Sequence, residues 1–175
     1  MRLMITGGGT AGHTSPAVAI LEEIQKRDPA LDVVWVGRKG NVEERVCKTL
    51  TIPFRSVAVR GWPRSGVVGR IWVLVQLAIG ALQAIVLVSR FRRQVVLGVG
   101  GYVSLPLVWV AQRLGVPTVL HEQNKRLGLA NRLLAPRAAK LLLSFPETAG
   151  DFPPDRAVVV GNPVRAGFLL PPSRE

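Results

Sequence analysis

The feature that most constrains this chain is the form of its apolar runs. Arg2–Thr6, Val33–Val36, Phe54–Val59, Val95–Val99, Thr118–His121, Lys140–Ser144 and Ala157–Val160 are short and read mostly as unbroken Val, Leu and Ile, not as alternating apolar and polar residues. A strand with one wet face alternates, whereas a parallel strand covered by helices on both faces does not. Between the runs lie segments of helical spacing. Ser15-Pro16 resembles an N-cap followed by proline at the first helical position, with Val18, Leu21 and Ile24 continuing to about Arg27. Further helices are expected at 41–50, 103–114 and 127–135. The pattern predicts an α/β fold with a doubly wound, mostly parallel, Rossmann-like sheet, whose ligands bind at the carboxyl ends of the strands.

The 175 residues suffice for one domain with its own core. The single cysteine, Cys47, excludes a disulfide scaffold, and with only His13 and His121 beside it metal catalysis is not expected. Met1-Arg2 leads directly into an apolar run and a glycine loop, without a signal-peptide pattern, so an intracellular domain is expected. The net charge is +12, and it is unevenly placed. No acid occurs between Glu44 and Glu122, a stretch that holds ten basic residues from Arg45 to Arg113. One flank should be strongly positive, which suits nucleic acid, an anionic membrane or a phosphorylated substrate. With 6% aromatics and no recognisable motif, nucleic acid is the weakest of these.

Within that stretch, Ile71–Val88 has no charge, although Arg60, Arg64, Arg70, Arg90, Arg92 and Arg93 flank it. It is at the lower limit for a bilayer span, but Gln76, Gly80 and Gln83 fall on one helical stripe. A buried core helix, a helix with one face on the sheet and another on a membrane surface, and a true span are the alternatives.

Four strand ends carry the candidate chemistry. Gly7-Gly8-Gly9-Thr10-Ala11-Gly12-His13 joins the first strand to a helix, as a phosphate-binding turn does. It also satisfies G-x-G-x-x-G, which raises an NADP-binding oxidoreductase, since Gly37-Arg38-Lys39 follows the second strand where an acid would hold a ribose. His13 sits where the helix terminus favours a neutral imidazole, a natural general base. Gly98–Ser104 repeats the strand-glycine-helix pattern, His121-Glu122-Gln123-Asn124 ends a buried strand in four polar residues, and Gly161-Asn162-Pro163-Val164-Arg165 follows the last strand.

Taken together, residues 7–13, 100–104, 121–124 and 161–165 resemble, in order and spacing, the motif series of the MurG family of bacterial N-acetylglucosaminyltransferases. The resemblance departs at Ala11, where many members have Gly, and at Lys125-Arg126-Leu127, where a small residue and a proline are common. It implies the N-terminal half of a GT-B inverting hexosyltransferase: residues 1–165 as the acceptor-binding domain, 166–175 as the start of a linker, and the donor-binding C-terminal domain absent. The implied reaction moves GlcNAc from UDP-GlcNAc to lipid I, giving lipid II in peptidoglycan synthesis, at the cytoplasmic face of the inner membrane. The same loops leave a related glycolipid transferase open. His13 would be the base. Thr10, Ala11, Gly12, Asn124 and Arg165 would contact UDP-GlcNAc, a substrate, with no cofactor required. Gly7, Gly8, Gly9, Gly100, Gly101, Tyr102 and Glu122 would line the acceptor and pyrophosphate side. Arg70, Ile71, Trp72, Val75, Arg90, Arg92 and Arg93 would form a membrane face. The partners implied are lipid I, UDP-GlcNAc, the anionic membrane surface and the donor-binding domain in cis or in trans, without which no turnover is expected.

Overall fold

The computed structural model describes residues 1–9, 11–62, 66–91 and 94–164. Thr10, Arg64, Arg92, Arg93, Arg165 and the linker 166–175 lie outside the described residues. The elements are β1 (Arg2–Thr6), α1 (Ala11–Arg27), β2 (Asp32–Gly37), α2 (Val42–Thr49), β3 (Phe54–Ser56), α3 (Val67–Arg90), β4 (Val95–Gly98), α4 (Leu105–Arg113), β5 (Thr118–Glu122), α5 (Leu129–Leu134), β6 (Lys140–Leu143) and β7 (Ala157–Val159). The seven strands form one sheet in the order β3-β2-β1-β4-β5-β6-β7, and every pairing is parallel.

Successive residues of each strand point to opposite faces, and in the inner strands β1, β2, β4 and β5 both faces are buried. Leu3 and Ile5 of β1, with Val33 and Trp35 of β2, pack against Ala17, Val18 and Leu21 of α1 and Cys47 of α2. Met4, Val34, Val36 and Val96 face the other way, toward Ala84 and Val88 of α3 and Leu107, Val108 and Ala111 of α4. This double burial is why the runs are continuous. The chain leaves β1 toward β2 and returns across it to β4, so the sheet reverses direction of winding between β1 and β4. The crevice of a doubly wound fold opens there.

Three details differ from the sequence reading. Helix α1 starts at Ala11, not after Ser15, and Pro16 lies inside it. Pro16 is close enough to the first turn that few intrahelical bonds are lost by its missing N–H. His13 is therefore on the helix itself. Strand β3 ends at Ser56 because the next residues turn under α3: Val57 and Val59 are buried, and the Ala58 N–H donates to Gln83 Oε1 at 2.6 Å. A Cβ at Gly80 would strike the Ala58 carbonyl oxygen. Gly80 and Gln83 thus seat α3 on this segment.

The third difference is the length of α3, which extends beyond Ile71–Val88 at both ends. Only Val73, Gly80, Ala84 and Val88 are buried, one narrow stripe, so a fully enclosed core helix is excluded. Val68, Ile71, Trp72 and Leu82 are at least half exposed.

Cys47 is enclosed in the α1/α2 core, and burial, reinforced by Glu43 and Glu44, pushes its thiol up to about 12. Almost no thiolate forms at neutral pH. Cys47 is expected to resist aromatic disulfide reagents in the folded protein and to react on denaturation. Absorbance-monitored thiol titration, with and without denaturant, checks this.

Candidate functional site

The turns after β1 and β4 meet at the crevice. They approach so closely that side chains have no room. At Gly101, whose φ is +77°, a Cβ would lie 2.6 Å from the Gly8 carbonyl oxygen. Gly8, at φ +151°, backs onto Glu43, whose carboxylate a Cβ there would strike. The β1 turn is pinned on its other side by Trp35, whose Nε1–H donates to the Gly7 carbonyl at 3.2 Å. Across the crevice, the Val99 N–H donates to the Thr6 carbonyl at 2.9 Å, and Ser104 Oγ donates to the Gly101 carbonyl at 2.9 Å.

A cavity of about 320 Å³ lies over this junction. Its polar lining includes His13, Tyr102, Glu122, Asn124 and Asn131, with the backbone of Gly100 and Gly101. Val59, Leu77, Leu105 and Leu133 supply apolar wall. Three of the four motifs therefore converge. Gly7–Gly9 stand behind the lining: Gly9 packs under the Tyr102 ring, where a Cβ would be 3.2 Å from Cε1, and its N–H donates to Glu43 Oε2 at 3.2 Å. Ala11 and Gly12 open α1. Of the fourth motif, Pro163 and Val164 line a separate hollow beside Ile20 and Ile24 of α1.

His13 is half-buried beside Gly100, where a Cβ would lie 2.9 Å from the imidazole Cδ2. Burial lowers its pKa from the ordinary 6.5, and the Glu122 charge acts in the opposite sense. The ring is therefore neutral at pH 7, as a base requires. Glu122 is buried with both carboxylate oxygens occupied. Oε1 accepts from the Asn124 N–H at 3.0 Å and from Asn124 Nδ2 at 2.8 Å; Oε2 accepts from the Gly128 N–H at 2.9 Å and Asn131 Nδ2 at 3.0 Å. This carboxylate shapes the loop that carries Asn124. His121 is buried outright, 3.4 Å from Ser144 Oγ, and burial lowers its pKa, with the Gly161 backbone and then Glu122 opposing more weakly.

The unusual Lys125-Arg126-Leu127 segment is docked, not loose. Lys125 pairs with Glu147 at 2.9 Å, the Leu127 N–H donates to the Ala149 carbonyl at 3.0 Å, and Leu127 is buried. Asn131, Arg60 and Trp62 line the cavity without having stood out as site residues in the sequence. An Asn inside the apolar helix Leu129–Leu134 was the available signal for the first.

Along the outside, Ile71, Trp72 and Val75 of the proposed membrane face are exposed, with Arg70 and Arg90 near the helix ends. A second, wholly apolar groove runs between α3 and α4, lined by Leu74, Ala78, Pro106 and Trp109. It shares Leu77, Leu105 and Leu133 with the first cavity.

Both histidines should titrate below 6.5 in an NMR titration of this chain. Glu122→Gln should move His13 lower still, because the Glu122 charge raises it. The folded protein binds fewer protons at these rings than the unfolded chain. Their contribution to stability is therefore complete above about pH 6.5 and lost as the pH falls through the lowered values, which denaturant midpoints across that range check.

The sequence profile of the glycosyltransferase family 28 N-terminal domain matches residues 3–143. A UDP-N-acetylglucosamine--N-acetylmuramyl-(pentapeptide) pyrophosphoryl-undecaprenol N-acetylglucosamine transferase of Halalkalibacterium halodurans is 36% identical over 175 residues, all of this chain and 48% of that protein. A crystal structure of MurG from Acinetobacter baumannii is similar with a TM-score of 0.79 and 28% identity, covering 92% of this chain and 46% of that one. A UDP-GlcNAc 2-epimerase from Methanocaldococcus jannaschii shares the fold, with a TM-score of 0.65 at 18% identity, covering 93% of this chain and 46% of that one. The chain spans about half the length of the curated relatives it matches. By the extent of the profile match, the chain belongs to glycosyltransferase family 28, and it has the fold of the N-terminal half of a GT-B glycosyltransferase.

Proposed function

We propose that this chain is the acceptor-binding and membrane-facing half of a transferase that moves GlcNAc from UDP-GlcNAc to lipid I, undecaprenyl-pyrophosphoryl-MurNAc-pentapeptide. The product is lipid II, made at the cytoplasmic face of the bacterial inner membrane. The observation that carries the reading is the cavity where His13, kept neutral by burial, shares a wall with Tyr102, Glu122 and Asn124. Relatives named for this transfer, such as the Halalkalibacterium halodurans protein, support the substrates.

In the reaction, the acceptor 4-hydroxyl oxygen bonds to the anomeric carbon from the face opposite UDP. The bond from that carbon to the diphosphate oxygen breaks, UDP departs, and the configuration inverts. The hydroxyl proton passes to the His13 imidazole. Glu122 then favours the imidazolium so formed, since its charge raises the His13 pKa. Thr10, Ala11, Gly12, Asn124 and Arg165 meet the donor, most of whose contacts come from a second domain. Helix N-termini and Arg165 offset the charge of the leaving diphosphate. Gly100, Gly101 and Tyr102 face the acceptor.

The exposed face of α3 docks on the membrane. An apolar strip with arginines at its rim suits anionic lipid, each basic residue near the surface contributing about 1 kcal/mol. The groove beside it shares Leu77, Leu105 and Leu133 with the cavity, which supports a lipid-facing surface adjoining the reacting one.

With the chain completed by a donor-binding half, radiolabel from UDP-GlcNAc should appear in a lipid I acceptor; failure of the wild type to transfer overturns the reading. His13→Ala should lower kcat by about 10²–10⁴-fold and abolish the acid limb of the pH profile. Independently, vesicle co-sedimentation should increase with anionic lipid content, fall with salt, and be lost in the double variant Ile71→Glu, Trp72→Glu. Binding indifferent to lipid charge contradicts the docking face.

A further inference from the structure

The carboxylate of Glu43 has no part in the reaction just described, yet it lies fully buried at the centre of the turns that shape the cavity. Glu43 is in the first turn of α2, but its acceptors are not spent on that helix. Oε2 accepts from the Gly9 N–H at 3.2 Å. Oε1 accepts from the Arg38 N–H at 3.0 Å and from Asn41 Nδ2 at 3.3 Å. The turns after β1 and β2 are thus fastened to one side chain. Both turns are cut to admit it: a Cβ at Gly8 would strike the carboxylate, and one at Gly37 would lie 2.6 Å from Glu43 Cγ. Both turns also end on the same cavity residue. Gly9 packs under the Tyr102 ring, and Arg38 Nη1 donates to the Tyr102 hydroxyl at 3.4 Å.

We propose that Glu43 is a positioning residue for GlcNAc transfer: it holds the Gly9 backbone and, through Gly9 and Arg38, sets Tyr102 on the acceptor side of the cavity that His13 also lines. The inference rests on the transferase reading above. It also assigns the Gly9 N–H to the protein itself, so a phosphate on this side of the crevice is met by other donors. A buried carboxylate with filled acceptors is a stiff joint, because moving either turn leaves a buried group unpaired.

The neighbouring Glu44 is a built-in control. It accepts from the Gly40 N–H at 2.6 Å and pairs with Lys48 at 3.6 Å, away from Gly9. Glu43→Gln keeps the size but presents an NH₂ group to one of the two backbone donors. In hydrogen-exchange measurements on this chain, Glu43→Gln should accelerate exchange of the Gly9 or Arg38 amide by about tenfold, whereas Glu44→Gln leaves both unchanged. In the chain completed with a donor-binding half, Glu43→Gln should raise the acceptor KM by up to about 100-fold, with KM for UDP-GlcNAc unchanged and Glu44→Gln behaving as wild type. If Glu43→Gln does not fold, Glu43→Asp, which keeps the charge and withdraws it by one methylene, carries the same measurements. Acceptor kinetics equal to wild type, or losses shared equally by both substrates in step with thermal stability, overturn the positioning role. An inactive wild type overturns the transferase reading and the positioning role with it, while the exchange result still judges the clamp.

Discussion

The backbone of Gly8 and the backbone of Gly101 touch across the gap between β1 and β4, and most of the site depends on that contact. In a parallel sheet the two strands are about 4.8 Å apart, so the turns that leave their ends compete for the same volume. Side chains on both turns would force them apart and open the crevice to water. Glycine at both positions lets α1 begin immediately beside the β4 turn, which sets His13 against Gly100. The same closeness explains why these glycines look like a phosphate loop while some of their N–H groups serve the protein. The resemblance to G-x-G-x-x-G therefore has a packing origin as well as a ligand-binding one, and the motif alone does not separate a dinucleotide enzyme from a glycosyltransferase.

Helix α3 shows a different compromise. Burying one stripe of Val73, Gly80, Ala84 and Val88 suffices to fix it, because Gly80 permits backbone contact with Ala58 and Gln83 satisfies the Ala58 amide. Beyond that stripe and the partly buried Leu77, Ala81 and Leu87, the large apolar side chains of α3 stand exposed. At about 25 cal/mol per Å² of apolar area removed from water, leaving several large side chains wet forfeits kcal/mol that a membrane would recover. The distribution of charge supports the same orientation, since the acid-free stretch from Arg45 to His121 includes the whole of α3 and α4.

The sheet was legible because double burial writes itself into sequence as continuous runs, and all seven strands begin within a residue of where those runs begin. The boundaries that misled are instructive. Ser15-Pro16 has the chemistry of a helix start, but the close packing of the two glycine turns pulls the helix back to Ala11 and carries Pro16 into it. Val57 and Val59 have strand propensity, but α3 covers them where β3 would otherwise continue. Glu43 was invisible for another reason. A ribose-binding acid is looked for at the end of the second strand, where Arg38 and Lys39 stand, while the functional carboxylate arrives from the next helix and points back. Asn131 likewise reaches the cavity from α5; its polarity in an apolar helix marks it, but does not name the His121 carbonyl ten residues away as its partner.

Two buried carboxylates brace the turns and the loop around the cavity, each from a different element. Glu43 spends both oxygens on the turns after β1 and β2; Glu122 spends both on the loop of Asn124 and on Asn131. With its acceptors filled by N–H groups, each carboxylate holds its own turns or loop in place. Tyr102, already an acceptor for Arg38, is likewise engaged. Among the described titratable residues that line the cavity, His13 is the one whose neutral form has been selected by burial. In the proposed transfer the acids act through geometry and field, and the proton goes to the imidazole.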